Sequence, residues 1–262
     1  MIPLSEFLAK IVVWIARTPF PRPIQCWINR WYVNWFDIDM EQFETEDPCK
    51  YPTLNDLFIR YKKVIEFYED EEIVISPADA KVIADGEIEK GMALQVKKIP
   101  YKVSQLVGEE VNLDGGFFIN LYLSPRDYHR FHVPIDMEVL KARYIPGKLK
   151  SVRPSVIERE LVYPENRRVV LECKDIKGNR FFIVLIGAII VGKIVINFDP
   201  DLGKNPRKYQ EKEYQGLKLK KGEELGRFEF GSSIVLLFPP DGFKYLNQKE
   251  EVEVGDILGE SY

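Results

Sequence analysis

Arg180-Phe181-Phe182-Ile183-Val184-Leu185-Ile186-Gly187-Ala188-Ile189-Ile190-Val191-Gly192-Lys193-Ile194-Val195-Ile196-Asn197-Phe198 is the stretch on which the fold turns. Its apolar run from Phe181 to Gly192 covers about twelve residues, whereas a membrane-crossing helix needs roughly 20. Gly187, Gly192 and Lys193 interrupt it. The stretch therefore reads as two buried strands rather than one spanning helix.

The same texture extends outward on both sides. Beyond residue 70, Val, Ile, Phe and Tyr come in short runs divided by Gly, Pro and Asp. Such runs cover 72–76, 81–88, 117–123, 138–144, 168–173, 180–186, 189–198, 234–238 and 251–258. This density of strands and turns predicts an α+β, β-dominated body of antiparallel sheets, barrel-like in form. The first residues differ. The spacing predicts a helix over 3–17, a break at Thr18-Pro19-Phe20-Pro21-Arg22-Pro23, and a second helix over 24–36. The four Trp of the chain are Trp14, Trp27, Trp31 and Trp35, all in this region. Two readings stand side by side: a helix pair resting on the body, or an interfacial pair with Trp and Arg30 at lipid-headgroup depth. Thr53 and Asp56 have N-cap and N3 spacing for a short helix over 54–60. The division expected is a helical, membrane-associating region 1–65 and a β-rich catalytic domain 66–262.

Composition narrows the function. The chain has 262 residues, 45% of them hydrophobic and 30% charged, enough for a large core in a protein that is not an integral membrane protein. A net charge of −4 speaks against nucleic acid as a partner. Cys26, Cys49 and Cys173 lack CxxC spacing, so neither a disulfide nor a zinc site is expected, and a reducing compartment is favoured. With two His and three Cys, no metal is expected. The N-terminal apolar stretch is broken by Glu6, Lys10 and Arg17 and lacks a signal-peptide cleavage site. No Gly-rich nucleotide fingerprint is present.

Three segments carry groups for chemistry. Ser76-Pro77-Ala78-Asp79 places an Asp in a turn, where such residues commonly satisfy backbone N–H groups. Tyr128-His129-Arg130-Phe131-His132 holds both imidazoles of the chain, which by themselves could sit on a surface loop. Gly226 to Val235 reads as two strands joined through the Gly231-Ser232 turn. Together they supply Asp, His and Ser, the groups of an activated nucleophile. The serine is not in a Gly-x-Ser-x-Gly elbow. It follows Gly231 directly, so its hydroxyl has the preceding carbonyl within reach for an N→O acyl shift. Glycine there minimises hindrance.

The ordered motifs Leu54-Asn55-Asp56-Leu57-Phe58-Ile59-Arg60, Ser76-Pro77-Ala78-Asp79, Tyr128-His129-Arg130-Phe131-His132-x-Pro134, Pro146-Gly147-x-Leu149-x-Ser151-Val152, Gly187-Ala188-x-x-Val191-Gly192, Lys221-Gly222-Glu223-Glu224-x-Gly226-Arg227-Phe228 and Phe230-Gly231-Ser232-Ser233 resemble those of the phosphatidylserine decarboxylases. Ala80, Phe230 and Ser233 depart mildly from that pattern, and Asn166-Arg167-Arg168 stands where an Asn-Glu-Arg is common. The resemblance implies a proenzyme that cuts itself between Gly231 and Ser232 into a β chain 1–231 and an α chain 232–262. Ser232 would be the nucleophile and become a covalent pyruvoyl (pyruvate) cofactor. His132 would be its base, Asp79 would orient His132, and His129 would help decarboxylation or reprotonation. The pyruvoyl group would form a Schiff base with phosphatidylserine and release CO2 and phosphatidylethanolamine. The implied partners are a phosphatidylserine bilayer and the chain's own two pieces, with a homodimer of these left open. The implied location is peripheral, on the cytoplasmic side of the cell membrane. Arg153, Arg159, Arg167 and Arg168 read either as a solvated loop or as a lid on anionic headgroups. A triad hydrolase that keeps Ser232, and a silent lipid binder, are the competing readings.

Overall fold

The computed structural model describes residues 4–96, 99–188, 193–229 and 231–262, with side chains from Ile11 on. Val191, Gly192 and Phe230 of the motifs, and 189–192 of the opening stretch, lie outside them.

Two helices come first, α1 (Leu4–Arg17) and α2 (Arg22–Phe36). Pro23 sits in the first turn of α2, where a missing N–H costs nothing. The inward side of α2 carries Gln25, Asn29 and Tyr32, and buried Asn29 donates to the carbonyls of Pro48 (2.9 Å) and Tyr51 (3.1 Å). This seats α2 on the turn Pro48–Lys50, and there Cys26 and Cys49 form a disulfide. The expectation of no disulfide is thereby corrected. The two cysteines are 23 residues apart, and only the docking of α2 brings them together. Helix α3 (Leu54–Phe58) is capped as expected, the Asp56 N–H donating to Thr53 Oγ1 at 3.0 Å.

The β body follows in chain order: β1 (Ile73–Ile75), β2 (Ala80–Glu87), the pair β3 (Met92–Leu94) and β4 (Pro100–Lys102), then helix α4 (Val103–Val107). Next are β5 (Phe117–Leu123), β6 (Arg130–His132), β7 (Met137–Ile145) and the turn of helix α5 (Pro154–Ile157). Then come β8 (Arg168–Asp175), β9 (Arg180–Gly187), β10 (Lys193–Ile196) and β11 (Gln210–Leu219). The chain ends with β12 (Glu224–Glu229), β13 (Ser232–Phe238), β14 (Phe243–Tyr245), β15 (Glu251–Val252) and β16 (Ile257–Ser261).

Among the described residues, one antiparallel sheet runs β11-β7-β8-β9-β13-β5-β2-β15, beside smaller sheets β10-β12-β6 and β1-β16-β14. The barrel-like form expected from the sequence is corrected: β11 and β15 are free edges and do not pair. Closure is unnecessary because other elements cover both faces. Phe182, Val184, Ile186, Val235 and Leu237 face Tyr32, Phe58, Leu106 and Tyr163. Ile183, Leu185, Ile234 and Leu236 face Phe131, Ile194, Leu225 and Phe228 of the small sheet. Burial on both faces explains why β9 reads as an unbroken apolar run rather than an alternating one. Edge strand β11 instead carries Glu211, Lys212 and Glu213, charges that discourage pairing with other chains.

Two strand expectations change. The run 251–258 is two strands, because Gly255 turns the chain at φ +99° against the Glu66 carbonyl, where a side chain would collide. The two strands around Gly231-Ser232 exist, but they belong to different sheets, so the chain crosses from the small sheet to the large one at that point.

Candidate active site

Ser232 opens β13 and is paired on both sides, with Leu123 of β5 and Gly187 of β9. It is fully buried, and its Oγ finds no hydrogen-bond partner among the described residues. A buried, unpaired hydroxyl costs stability, so a fold that keeps one has another reason for it. Gly231 deepens the point. A Cβ built on it would meet nothing within 4 Å among the described residues. Crowding by the described residues does not demand glycine at 231. Gly226, by contrast, is a packing glycine, because a Cβ there would collide with the Val195 carbonyl and the Phe131 ring.

The partner strand is held in turn. Buried Asn166 donates to the Gly187 carbonyl at 2.9 Å and exchanges two bonds with the Lys150 backbone. On the other face of β13, the Tyr163 hydroxyl donates to Ser233 Oγ at 3.5 Å.

The imidazoles are supplied by the chain leaving β5. A turn at 124–127 is closed by the Ser124 N–H donating to Asp127 Oδ2 at 2.6 Å. His129 donates from Nδ1 to the Asp127 carbonyl at 2.8 Å and lies against Phe58, ring centroids 3.9 Å apart. Its Nε2 is buried and unpaired. Burial, with the Arg60 charge added, drives its pKa down to about 3. His129 is therefore a neutral ring with a free lone pair at physiological pH. Arg60 is itself buried and donates to the carbonyls of Leu57, Arg126 and Asp127. Thus the 54–60 and 128–132 motifs, far apart in sequence, build one site.

His132, on β6, lies opposite Glu224 of β12. It donates from Nδ1 to the Gly222 carbonyl at 2.8 Å, and its Nε2 meets the Tyr128 hydroxyl at 3.1 Å. Burial lowers its pKa. Arg130, on the same strand, grips Glu224 with bonds of 2.8 and 3.0 Å and lies over the Tyr61 ring. The neighbouring Asp127 carboxyl is pushed up to about 6, chiefly by burial.

Asp79 is placed differently from the sequence reading. Its carboxylate binds Lys62 Nζ at 2.8 Å and accepts the Val254 N–H at 2.9 Å. No hydrogen bond joins it to His132, both of whose ring nitrogens are otherwise engaged. Its negative charge reaches His132 only through space, after the larger effects of burial and the Gly222 and Glu224 contacts. Nor does a hydrogen bond join Ser232 to either imidazole. The basic segment is also revised: Arg168 is buried and donates to the carbonyls of Leu106, Pro164, Asn166 and Gln105, so it is a structural residue. Arg153 and Arg159 remain exposed.

A groove of about 910 Å³ lies beside the site, lined in part by Lys62, Asp79, Tyr122, Ser124, Arg126 and Asp127. Tyr122 and Ser124 flank Leu123, the ladder partner of Ser232. Ser232, His129 and His132 do not line the groove. The sequence reading singled out Ser232, His129, His132 and Asp79, and the structure joins neither imidazole to Ser232 or Asp79 by a hydrogen bond. It missed Lys62, Tyr128 as a partner of His132, and Asn166. Tyr128 stood inside a motif already singled out, whereas nothing in the sequence pairs Lys62 with Asp79.

Comparison with known proteins gives one answer. The profile of the phosphatidylserine decarboxylase family matches residues 54–260. A phosphatidylserine decarboxylase proenzyme of Helicobacter pylori is 41% identical, covering 99% of this chain and 98% of the relative. Proenzymes of the same name from Campylobacter jejuni and Vibrio cholerae are 39% and 36% identical, over 89% and 83% of this chain and 90% and 81% of theirs.

Proposed function

The chain belongs to the phosphatidylserine decarboxylase family and is a carboxy-lyase; from that premise we propose that it cuts itself at Gly231–Ser232 and then decarboxylates phosphatidylserine to phosphatidylethanolamine. The observation that carries this reading is the buried, unpaired Ser232 hydroxyl next to a glycine that packing does not require.

In self-cleavage, Ser232 Oγ attacks the Gly231 carbonyl carbon while a base takes its proton. The peptide C–N bond breaks to an ester, with the amine kept on residue 232. Loss of the α-proton of residue 232 and of the Gly231 carboxylate leaves an enamine double bond. Water then replaces the nitrogen, which departs as ammonia. A ketone remains at the new end of the α chain.

The site fits that group. Residue 232 is held by ladder bonds on both sides and is fully buried, and its side-chain oxygen has no hydrogen-bond partner among the described residues. The pyruvoyl group supplies the electron sink for loss of CO2. The protein's own residues handle protons. His132, with Nδ1–H tied to Gly222, keeps Nε2 as the base for Ser232. His129, neutral with an open Nε2, stands ready to shuttle a proton at the substrate carbon. Asp79 acts on His132 through its field rather than by contact, held by Lys62 and Val254. The groove beside Tyr122 and Ser124 is the path for the headgroup.

Among the described residues no helix is long and apolar enough to cross a membrane. Trp14, Trp27, Trp31 and Trp35 are 50–69% exposed. We read residues 1–65 as the part that meets the bilayer peripherally and 66–262 as the catalytic part. The test is a denaturing gel of the freshly folded chain and its Ser232→Ala variant, with CO2 release measured from phosphatidylserine vesicles. The parent chain gives two bands and CO2, and the variant gives one band and none. A cut variant, or an intact parent that hydrolyses esters, would overturn the proposal.

A further inference from the structure

We propose that Tyr128 is a positioning residue for self-cleavage, its hydroxyl and the Gly222 carbonyl together holding His132 as the Nδ1–H tautomer with its basic lone pair on Nε2. The inference rests on the self-cleavage reading above and goes further, to what fixes the base.

The bonding leaves one arrangement. A carbonyl oxygen only accepts, so the 2.8 Å contact to Gly222 puts the hydrogen on Nδ1 of His132. The lone pair of the neutral ring is then on Nε2, and it faces the Tyr128 hydroxyl at 3.1 Å. Tyr128 is the donor there. Burial and the negative charge of Glu224 push its own ionisation far up, so the phenol keeps its proton.

The surroundings are built for this geometry. The Tyr128 and His132 rings stack at 5.8 Å and 26°, and both residues are buried. Gly222 has φ +83°, and a Cβ there would meet the Phe67 ring at 2.7 Å, so only glycine presents its carbonyl to the ring in this way. Phe67 itself lies 6.0 Å from the imidazole. The charged groups around the pair are Glu224 on β12, Arg130 on β6, Asp79 before β2, and Lys62, whose Nζ is 5.8 Å from the Tyr128 ring.

Two bonds fix a ring better than one. With Gly222 alone, the imidazole can swing about its single bond and Nε2 wanders. With Tyr128 in place, Nε2 stays at one point, and the hydroxyl turns away from its lone pair as the serine proton arrives. Self-cleavage of a buried bond depends on such placement.

The test reads the tautomer directly. The chain has only two histidines, so ring-15N-labelled protein shows two imidazoles, and His129→Gln assigns them. In the uncut Ser232→Ala protein, His132 should show a protonated Nδ1 and a hydrogen-bonded, pyridine-type Nε2. Adding Tyr128→Phe keeps the aromatic ring, and the Nε2 signal should move toward that of a free lone pair while Nδ1 stays protonated. On the chain with Ser232 intact, Tyr128→Phe should slow appearance of the 232–262 piece by roughly fivefold to tenfold, the loss of one hydrogen bond. A protonated Nε2 on His132 in the parent spectrum overturns the proposal without any change at 128. So does an Nε2 signal that Tyr128→Phe leaves unmoved, or a Tyr128→Phe chain that matures at the parent rate. If the parent chain itself never cuts, the self-cleavage reading falls and the positioning role with it, and the 15N spectrum then still reports which nitrogen holds the proton.

Discussion

At the scale of the residue, the site is a set of polar atoms withdrawn from water and only partly satisfied. His129 and Asp127 show what this costs. The folded His129 ring resists protonation down to about pH 3, whereas an unfolded His takes a proton below its ordinary 6.5. Stability from His129 is therefore full above pH 6.5 and is lost as pH falls from 6.5 toward 3. His132, also depressed, acts in the same direction. Asp127 has the opposite sign. Its folded pKa of about 6 lies above its ordinary 3.8, so the folded form gains a proton first and stability rises as pH falls from about 6 to 3.8. Each unmatched proton changes the unfolding free energy by about 1.4 kcal/mol per pH unit. Urea unfolding of the uncut Ser232→Ala protein should show a shallow loss of stability between pH 6.5 and 4. Adding Asp127→Asn removes the offset and should make that loss steeper by close to one proton's worth. An unchanged slope would show that the Asp127 carboxyl is not held neutral in the fold.

At the scale of the element, Ser232 is placed by its neighbours in the sheet more than by its own contacts. Asn166 ties the Gly187 carbonyl end of β9 to the Lys150 loop with three hydrogen bonds, the one to Gly187 fully buried. Asn166→Ala should cost about 1–3 kcal/mol of stability and slow the cut, seen as a lower urea midpoint together with delayed appearance of the 232–262 piece. The sequence made β5, β9 and β13 legible because strands covered on both faces are apolar at nearly every position, and β8 legible from its Val169-Val170-Leu171 centre. It left β11 unread, because a charged edge strand looks like a loop. It left β6 unread, because three residues of a motif carry no periodicity. Helices α1 and α2 were legible from spacing, yet the Cys26–Cys49 bond was not, because α2 docks through Gln25, Asn29 and Tyr32 rather than through the face that carries its tryptophans. That docking turns Trp27, Trp31 and Trp35 outward. Trp27→Ser with Trp31→Ser should weaken cosedimentation with phosphatidylserine-containing vesicles severalfold while leaving the cut at Gly231 intact. Undiminished binding would remove α2 from the membrane contact.

At the scale of the whole molecule, the proposed cut falls where the chain passes from one sheet to another, and that choice keeps the product together. The piece 232–262 contributes β13 between β9 and β5, β15 beside β2, and both β14 and β16 of the small sheet with β1. All seven residues of β13 are buried. The two pieces should therefore copurify through gel filtration and separate only in denaturant, while Leu236→Ala, emptying a fully buried position, should weaken their union by about 2–5 kcal/mol. The family was legible from sequence because covalent chemistry demands particular residue types. The links from Lys62 to Asp79 and from Tyr128 to His132 were not, because hydrogen-bond partners depend on how distant segments meet. The most direct measurement is the intact mass of the denatured 232–262 piece, with and without hydroxylamine. The expected piece is lighter by one ammonia than a serine-started peptide and gains a single oxime in hydroxylamine. An uncut chain, or a 232–262 piece that begins with serine and takes up no hydroxylamine, would contradict it.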